Sequence, residues 1–338
     1  MNRKPHIFWF PLTQIVLAVT LVLWVGVATS AQKDPLASWN DGSPKKVIVN
    51  FVERTTKAGS PDFIPVDERI ATFDNDGTLW SEQPMYFQFL FMLDQVKAAA
   101  PSHPEWKDNA VFKALAAKDQ KALAEIGEKP LLEFLAVANS GMSVADYDSS
   151  VRVWLATARH PRFNRPYTDL VYKPMLDLLG YLRANGFKTF IVSGGSIEFM
   201  RPWVQQVYGI PPEQVVGTIS DVKFEIQNGS PVLIREPKIN FVDDGPGKPV
   251  GIYRSIGRRP VAAFGNSDGD QQMLEFTAAG PGRRLMLIVH HTDADREYAY
   301  DRTSSIGKLD KALDEALAKG WIVVDMKKDW RVIYPFEK

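Results

Sequence analysis

The chain has 338 residues, 45% of them hydrophobic and 24% charged, which excludes a disordered or low-complexity polymer. Lys and Arg together number 40, as do Asp and Glu, so there is no basic excess of the kind a nucleic-acid-binding surface needs. Without cysteine there is no disulfide, thiolate zinc site, cysteine nucleophile or lipobox cysteine.

Arg3 and Lys4 precede an uncharged run from Ile7 to Ala28, and small residues follow at Thr29, Ser30 and Ala31. Residues 1–31 therefore read as a secretory signal peptide or, uncleaved, as a signal anchor. Pro11 and Gln14 shorten the apolar run and favour cleavage. In both cases the basic end stays inside and the remainder is exported to a periplasmic or other extracytoplasmic space, soluble after cleavage or anchored to the membrane by residues 7–28.

Ser43-Pro44 opens a predicted helix running through Lys57, with proline in its first turn. Arg69 to Phe73 reads as a strand that stops at Asp74-Asn75-Asp76-Gly77. From Trp80 to about Thr168 the chain is rich in Ala, Leu, Met and aromatics and reads as helical, with breaks at residues 101–104, at Gly141 and at His160-Pro161. A helix over Lys173–Asn185 capped by Gly186 leads to a strand at Thr189–Val192, then Ser193-Gly194-Gly195-Ser196 and a helix to about Tyr208. Val215–Ile219 reads as a strand, and Val222–Ile226 with Val232–Ile234 as a hairpin around Asn228-Gly229. Further strands are expected at Val261–Phe264, Leu285–Val289 and Trp321–Asp325, with an amphipathic packing helix over Lys308–Lys319. Strands alternating with helices imply an α/β fold, a doubly wound parallel sheet carrying one helical insertion after its first strand.

Chemistry in such a sheet collects at the carboxyl ends of the strands, where Ile70-Ala71-Thr72-Phe73-Asp74-Asn75-Asp76-Gly77-Thr78 delivers two aspartates. One could attack a bound ligand while the other handles protons or helps hold a cation; the same residues would also make an ordinary Asx-rich turn. The string resembles the first motif, Asp-x-Asp-x-Thr, of the phosphatases in the haloacid dehalogenase (HAD) superfamily. Three further motifs stand in the order that the superfamily requires. Ile191-Val192-Ser193-Gly194-Gly195 matches the second and looks most like the phosphoserine-phosphatase branch, Lys248 suits the third with Lys238 as runner-up, and Val261 to Asp270 matches the fourth.

The resemblance implies a Rossmann-like core over residues 32–80 and 168–338 with a helical cap over 81–167. It implies a magnesium-dependent phosphomonoester hydrolase working on a small phosphorylated metabolite through an aspartyl-phosphate. Asp74 would be the nucleophile, Asp76 the acid and base, and Lys248 the counter-charge. Asn75, Ser193, Gly194 and Thr78 would bind phosphate. Magnesium would rest on Asp74, Asp76, Asn266 and Asp270. The last pair is where the sequence departs from the family, because Asn266 stands where an aspartate is usual, leaving Asn266, Asp270 or Asp268 to complete the shell.

Glu82 lies one position from where phosphoserine phosphatases place a glutamate that holds the substrate amine, so that specificity does not transfer. Trp80, Tyr86 and Phe87–Phe91 would line a pocket or fill the cap interior. Arg152, Arg159, Arg162 and Arg165 would bind an anionic substrate tail or form a solvated face. His290-His291 with Asp293 and Asp295 could form a second metal site or simply end a strand. Alternative functions are a HAD phosphotransferase and an exported non-catalytic binding or scaffold protein.

Overall fold

A computed structural model describes Met1, residues 34–117 and residues 119–337. The signal or anchor expected over residues 1–31 lies outside the described residues apart from Met1. Among the described residues no helix is long and apolar enough to cross a membrane.

From Pro35 onward the chain folds as one compact unit. Helix α1 (Ser43–Thr56) carries Pro44 in its first turn and buries Ile48, Phe51, Val52 and Thr55. Strand β1 (Ile70–Phe73) is buried throughout its length. Five helices follow: α2 (Phe87–Ala99), α3 (Ala110–Ala117), α4 (Gln120–Ile126), α5 (Glu128–Ala138) and α6 (Val144–Thr157). The chain then returns through α7 (Lys173–Ala184), β2 (Lys188–Ser196), α8 (Ile197–Met200), α9 (Val204–Tyr208), β3 (Val215–Gln227) and β4 (Ser230–Phe241). It ends with α10 (Gly247–Ser255), β5 (Ala262–Gly265), α11 (Gln271–Ala278), β6 (Leu285–Thr292), β7 (Ala299–Tyr300), α12 (Lys311–Lys319), β8 (Ile322–Asp325) and α13 (Met326–Asp329).

The eight strands form one sheet in the order β4-β3-β2-β1-β5-β6-β7, with β8 off this path and paired to β6. Strands β3, β2, β1, β5, β6 and β8 are parallel neighbours, while β4 and β7 run antiparallel. Strand alternation divides the core into two layers. Ala71, Phe73, Ile191, Ala262, Phe264 and Leu287 face the layer that holds α1 and α7, and Phe73 stacks on Phe264 at 4.3 Å between ring centroids. Val192, Val216, Ala263 and Ile288 face the layer of α10, α11 and α12. Helices on both faces with a sheet buried between them are what the apolar runs of the strands require.

The helix expected to run to Tyr208 is broken into α8 and α9, and two further elements differ from the expectation. The separate strand at Val215–Ile219 and the first arm of the hairpin are one strand, β3. Its first residues pair in parallel with β2; after a register shift around Ser220 the rest pairs antiparallel with β4. The interruption in the apolar pattern marks a bulge in a continuous strand. At the hairpin tip Asn228 and Gly229 both take positive φ, as a two-residue turn of this kind demands. The second difference is α10, where Gly and Pro obscure a helix whose Pro249 falls in the first turn and removes no needed donor.

The inserted helices have a small core of their own, built on Val96, Trp106, Val111, Phe134 and Leu135. They are also stitched to the sheet edge. Gly141 N donates to Arg235 O at 2.9 Å, Arg235 N donates to Met142 O at 3.0 Å, and Ser143 bridges Ile234 on β4.

Candidate active site

Between the carboxyl ends of β1, β2 and β5, helices α2 and α5 and the β3–β4 hairpin lies a cavity of about 340 Å³. Asp74, Asp76, Ser193, Gly194 and Lys248 all line it. Asp74 follows the last residue of β1, and its N–H donates to Phe264 O at 2.9 Å, which holds the first motif against β5. The turn beyond it closes on the Asn75 carbonyl, which accepts from the N–H groups of Thr78, Leu79 and Trp80. Gly77 has φ +72°, and a Cβ there would stand 2.1 Å from Asn266 Nδ2 and 2.3 Å from Glu82 Oε1. Only glycine fits this close approach.

Lys248, near the start of α10, is the electrostatic centre. Its Nζ donates to Asp74 Oδ1 at 2.7 Å, to Asp270 Oδ1 at 2.6 Å and to Val192 O at 3.0 Å. Burial opposes its charge, but Asp270 and Asp74 outweigh burial and hold the ammonium protonated well above its ordinary range. Burial, reinforced by the Asp270 charge, raises the Asp74 carboxyl well above the usual carboxylate range despite the opposing pull of Lys248. Asp76 is pushed up to about 6 by burial, against the stabilising hydrogen bond from Trp80 and the charge of Lys248. Trp80 Nε1 donates to Asp76 Oδ1 at 2.9 Å and so orients that carboxyl. Runner-up Lys238 is exposed and pairs with Asp221.

At the end of β2, Gly195 N donates to Ser193 Oγ at 3.1 Å, and Ser196 N donates to Gln88 Oε1 on α2 at 2.8 Å. Neither Asn75 nor Thr78 lines the cavity. Asn75 is buried with its Oδ1 accepting from Tyr208 OH at 3.1 Å, and Thr78 is buried with its hydroxyl donating to Asn266 Oδ1 at 3.0 Å. Their side chains brace the loops around the site from outside the cavity lining.

The fourth-motif loop corrects the expected metal set. Asp270 Oδ1 accepts from Lys248, and Oδ2 accepts from the N–H groups of Asn266 and Ser267 at 2.9 and 3.0 Å, so both oxygens are committed to the protein. Asp268 Oδ1 accepts from Asp310 N and Ala312 N and caps the start of α12. The oxygens that could hold a cation are then the Asp74 carboxylate, the Asp76 main-chain carbonyl and the Asn266 amide oxygen, which also accepts from the Thr78 hydroxyl. Such an all-oxygen set suits a hard divalent cation, and the absence of a side chain at Gly77 lets Asn266 and Glu82 close in on the first-motif turn. Among the described residues no group of three or more His, Asp or Glu side chains is arranged to hold a metal.

The remaining candidates resolve by contact. Tyr86 and Phe89 reach the cavity, while Trp80, Phe87 and Phe91 are core. His291 Nε2 lies 2.8 Å from Gly77 O with Glu297 Oε2 3.2 Å from Nδ1, so this histidine braces the first-motif turn. His290 meets Asp301, Asp293 holds Arg296 and Asp295 holds Lys327. Arg152 pairs with Asp148, Arg159 and Arg162 donate to main-chain carbonyls, and Arg165 pairs with Asp169. The arginine that does line the cavity is Arg235, which the sequence did not single out. It is 6% exposed, lies over Tyr147 with Cζ 3.8 Å from the ring centroid, and donates to Asn139 O through Nη1. Trp80 was also missed as the partner of Asp76, although its position one helical turn further along the chain was a local signal.

A doubly wound sheet with two aspartates after its first strand and a lysine pairing the first and fourth motifs defines a HAD-type hydrolase. Residues 71–275, more than half of the chain, match the family of haloacid dehalogenase-like hydrolases, and the chain belongs to that family. No curated protein sequence matches it. Among solved structures, a conserved functionally unknown protein from Anaerococcus prevotii is similar at TM-score 0.53 and 15% identity, over 85% of this chain and 92% of that one. A protein of unknown function from Bordetella pertussis is similar at TM-score 0.49 and 15% identity, over 77% of this chain and 99% of that one. A probable phosphoserine phosphatase from Vibrio cholerae is similar at TM-score 0.38 and 14% identity, over 77% of this chain and 68% of that one.

Proposed function

We propose that this chain is a magnesium-dependent phosphomonoester hydrolase that works through an aspartyl-phosphate. The observation that carries the reading is the convergence of Asp74, Asp76, Ser193 and Lys248 on one small cavity. Asp74 attacks phosphorus, the bond to the ester oxygen breaks, and Asp76 gives its proton to the departing oxygen. Water then attacks phosphorus, Asp76 takes the proton of that water, and inorganic phosphate leaves with the Asp74 carboxylate restored. Lys248 offsets charge on Asp74 and the transferring group, while Ser193 and the glycine amides beside it bind non-bridging oxygens. Held by Asp74, Asp76 and Asn266, magnesium would supply the remaining counter-charge for a carboxylate approaching a phosphate dianion.

The cavity size supports a small phosphorylated metabolite as substrate. The basic and then apolar N-terminal sequence supports work outside the cytoplasm, either free or anchored to the membrane by residues 7–28. The test is hydrolysis of p-nitrophenyl phosphate by the full chain with and without magnesium, alongside Asp74→Asn. Metal-dependent turnover that vanishes in the variant is expected. A variant that keeps more than a small fraction of the activity excludes Asp74 as nucleophile, and a wild-type chain without turnover leaves a binding protein.

A further inference from the structure

The fourth-motif loop offers the metal a neutral amide where a carboxylate is usual, and Asp270 does not make up the charge because Lys248 and two main-chain amides occupy it. Asp74 is itself shared with Lys248. One further carboxylate touches this shell. Glu82, 1% exposed, accepts from Asn266 Nδ2 at 2.7 Å and from Tyr300 OH at 2.8 Å, both through Oε1. Burial pushes the Glu82 carboxyl well above the usual carboxylate range, against the hydrogen bond from Tyr300; in its ionised form it can only accept from the amide nitrogen and so fixes which way the Asn266 amide points. It turns Oδ1 to the other side, where the Thr78 hydroxyl meets it.

Two glycines make room for this arrangement. A Cβ at Gly77 would stand 2.3 Å from Glu82 Oε1, and one at Gly307 would stand 1.8 Å from the same atom. The positive φ of both residues adds that no side chain is tolerated there without strain. A buried carboxylate enclosed on both sides by glycine and bound to the one neutral side-chain ligand has a role that a packing residue would not need.

We infer that Glu82 supplies, through the side-chain amide of Asn266, the negative charge that the metal loop lacks. The hydrogen bond polarises the amide, draws electron density onto Oδ1 and makes it a stronger ligand, while the carboxylate, which itself borders the cavity, attracts the cation. Glu82 is a positioning residue in this scheme. The inference rests on the proposed magnesium site.

The experiment is isothermal titration calorimetry of magnesium into the full chain without substrate, with thermal melting in the absence of metal as a check on folding. Glu82→Gln is expected to weaken magnesium binding by about tenfold or more, the usual cost of losing an outer-shell partner. Combining it with Asn266→Asp exchanges amide and carboxylate across the same hydrogen bond and is expected to restore affinity to within about threefold of wild type, since outer-shell pairing is kept. Tyr300→Phe, which keeps the charge and removes the other contact, is expected to leave binding near wild type. A Glu82→Gln protein that binds as tightly as wild type overturns the inference. So does a double variant no tighter than Glu82→Gln, or, should the single variant not fold, a double variant well below wild type. If the wild-type chain binds no magnesium, the underlying reading fails as well, which separates the two failures.

Discussion

Lys248 Nζ and Asp74 Oδ1, 174 positions apart in sequence, meet at 2.7 Å in the floor of the cavity, with Asp270 on the other side of the ammonium. Three motifs are thereby fastened by one cation, and among the described residues neither carboxylate pairs with another buried cation.

Replacing Lys248 with Met is expected to cost about 3–5 kcal/mol of stability, because removing one member of a buried ionic group strands the charges that remain. Activity should fall by about a hundredfold or more with the loss of the cation at the reacting centre. Urea denaturation and p-nitrophenyl phosphate hydrolysis check the two parts. A variant as stable as wild type would mean that the carboxylates are neutral without it.

Asp76→Asn should slow turnover and, with an aryl phosphate whose leaving group needs no acid, accumulate phosphoenzyme in a burst experiment. Undiminished steady-state turnover would remove Asp76 from proton transfer.

Trp80→Phe keeps the ring stack on Trp203, 4.3 Å between centroids, and the edge contact with Phe87, but loses the donor to Asp76. We expect a lower melting temperature, because the smaller ring leaves a cavity in the core, and a kcat lower by roughly tenfold where the variant is folded, the effect of a loosened acid. Equal kcat values would show that the indole only packs.

Asp243 is fully buried near Lys248, and neither of its carboxyl oxygens has a hydrogen-bond partner among the described residues. Burial pushes it up to about 8, against the pull of Lys248 and with help from Asp244. The unfolded chain loses this proton near the ordinary aspartate range, while the folded chain keeps it until about pH 8. Folding stability therefore falls as pH rises through that interval, by at most about 1.4 kcal/mol per pH unit from this group. Asp243→Asn should flatten the profile and be the more stable protein at pH 8, measured by urea denaturation at several pH values.

The first and second motifs were legible because their placement is local: a strand ends, and residues that follow line the cavity. Asp74, Asp76 and Ser193 needed only their immediate neighbours in sequence. Lys248 was reached through the order of motifs, since no periodicity revealed the helix that Gly247 and Pro249 begin. What the residues could not reveal depends on contacts across the fold. Asp270 looks like a ligand until Lys248 and two amides occupy it. Thr78 looks like a phosphate contact until its hydroxyl is found on Asn266. Arg235 sits among alternating residues of an edge strand, and only the approach of the inserted helices turns it into a cavity wall.

The main-chain bonds between residues 141–143 and β4 mean that the roof of the chamber is tied down along its far rim as well as where the chain enters and leaves it. Swinging it wide would require those bonds to break, so under the proposed function small phosphoesters are expected to react faster than phosphoproteins or lipid assemblies.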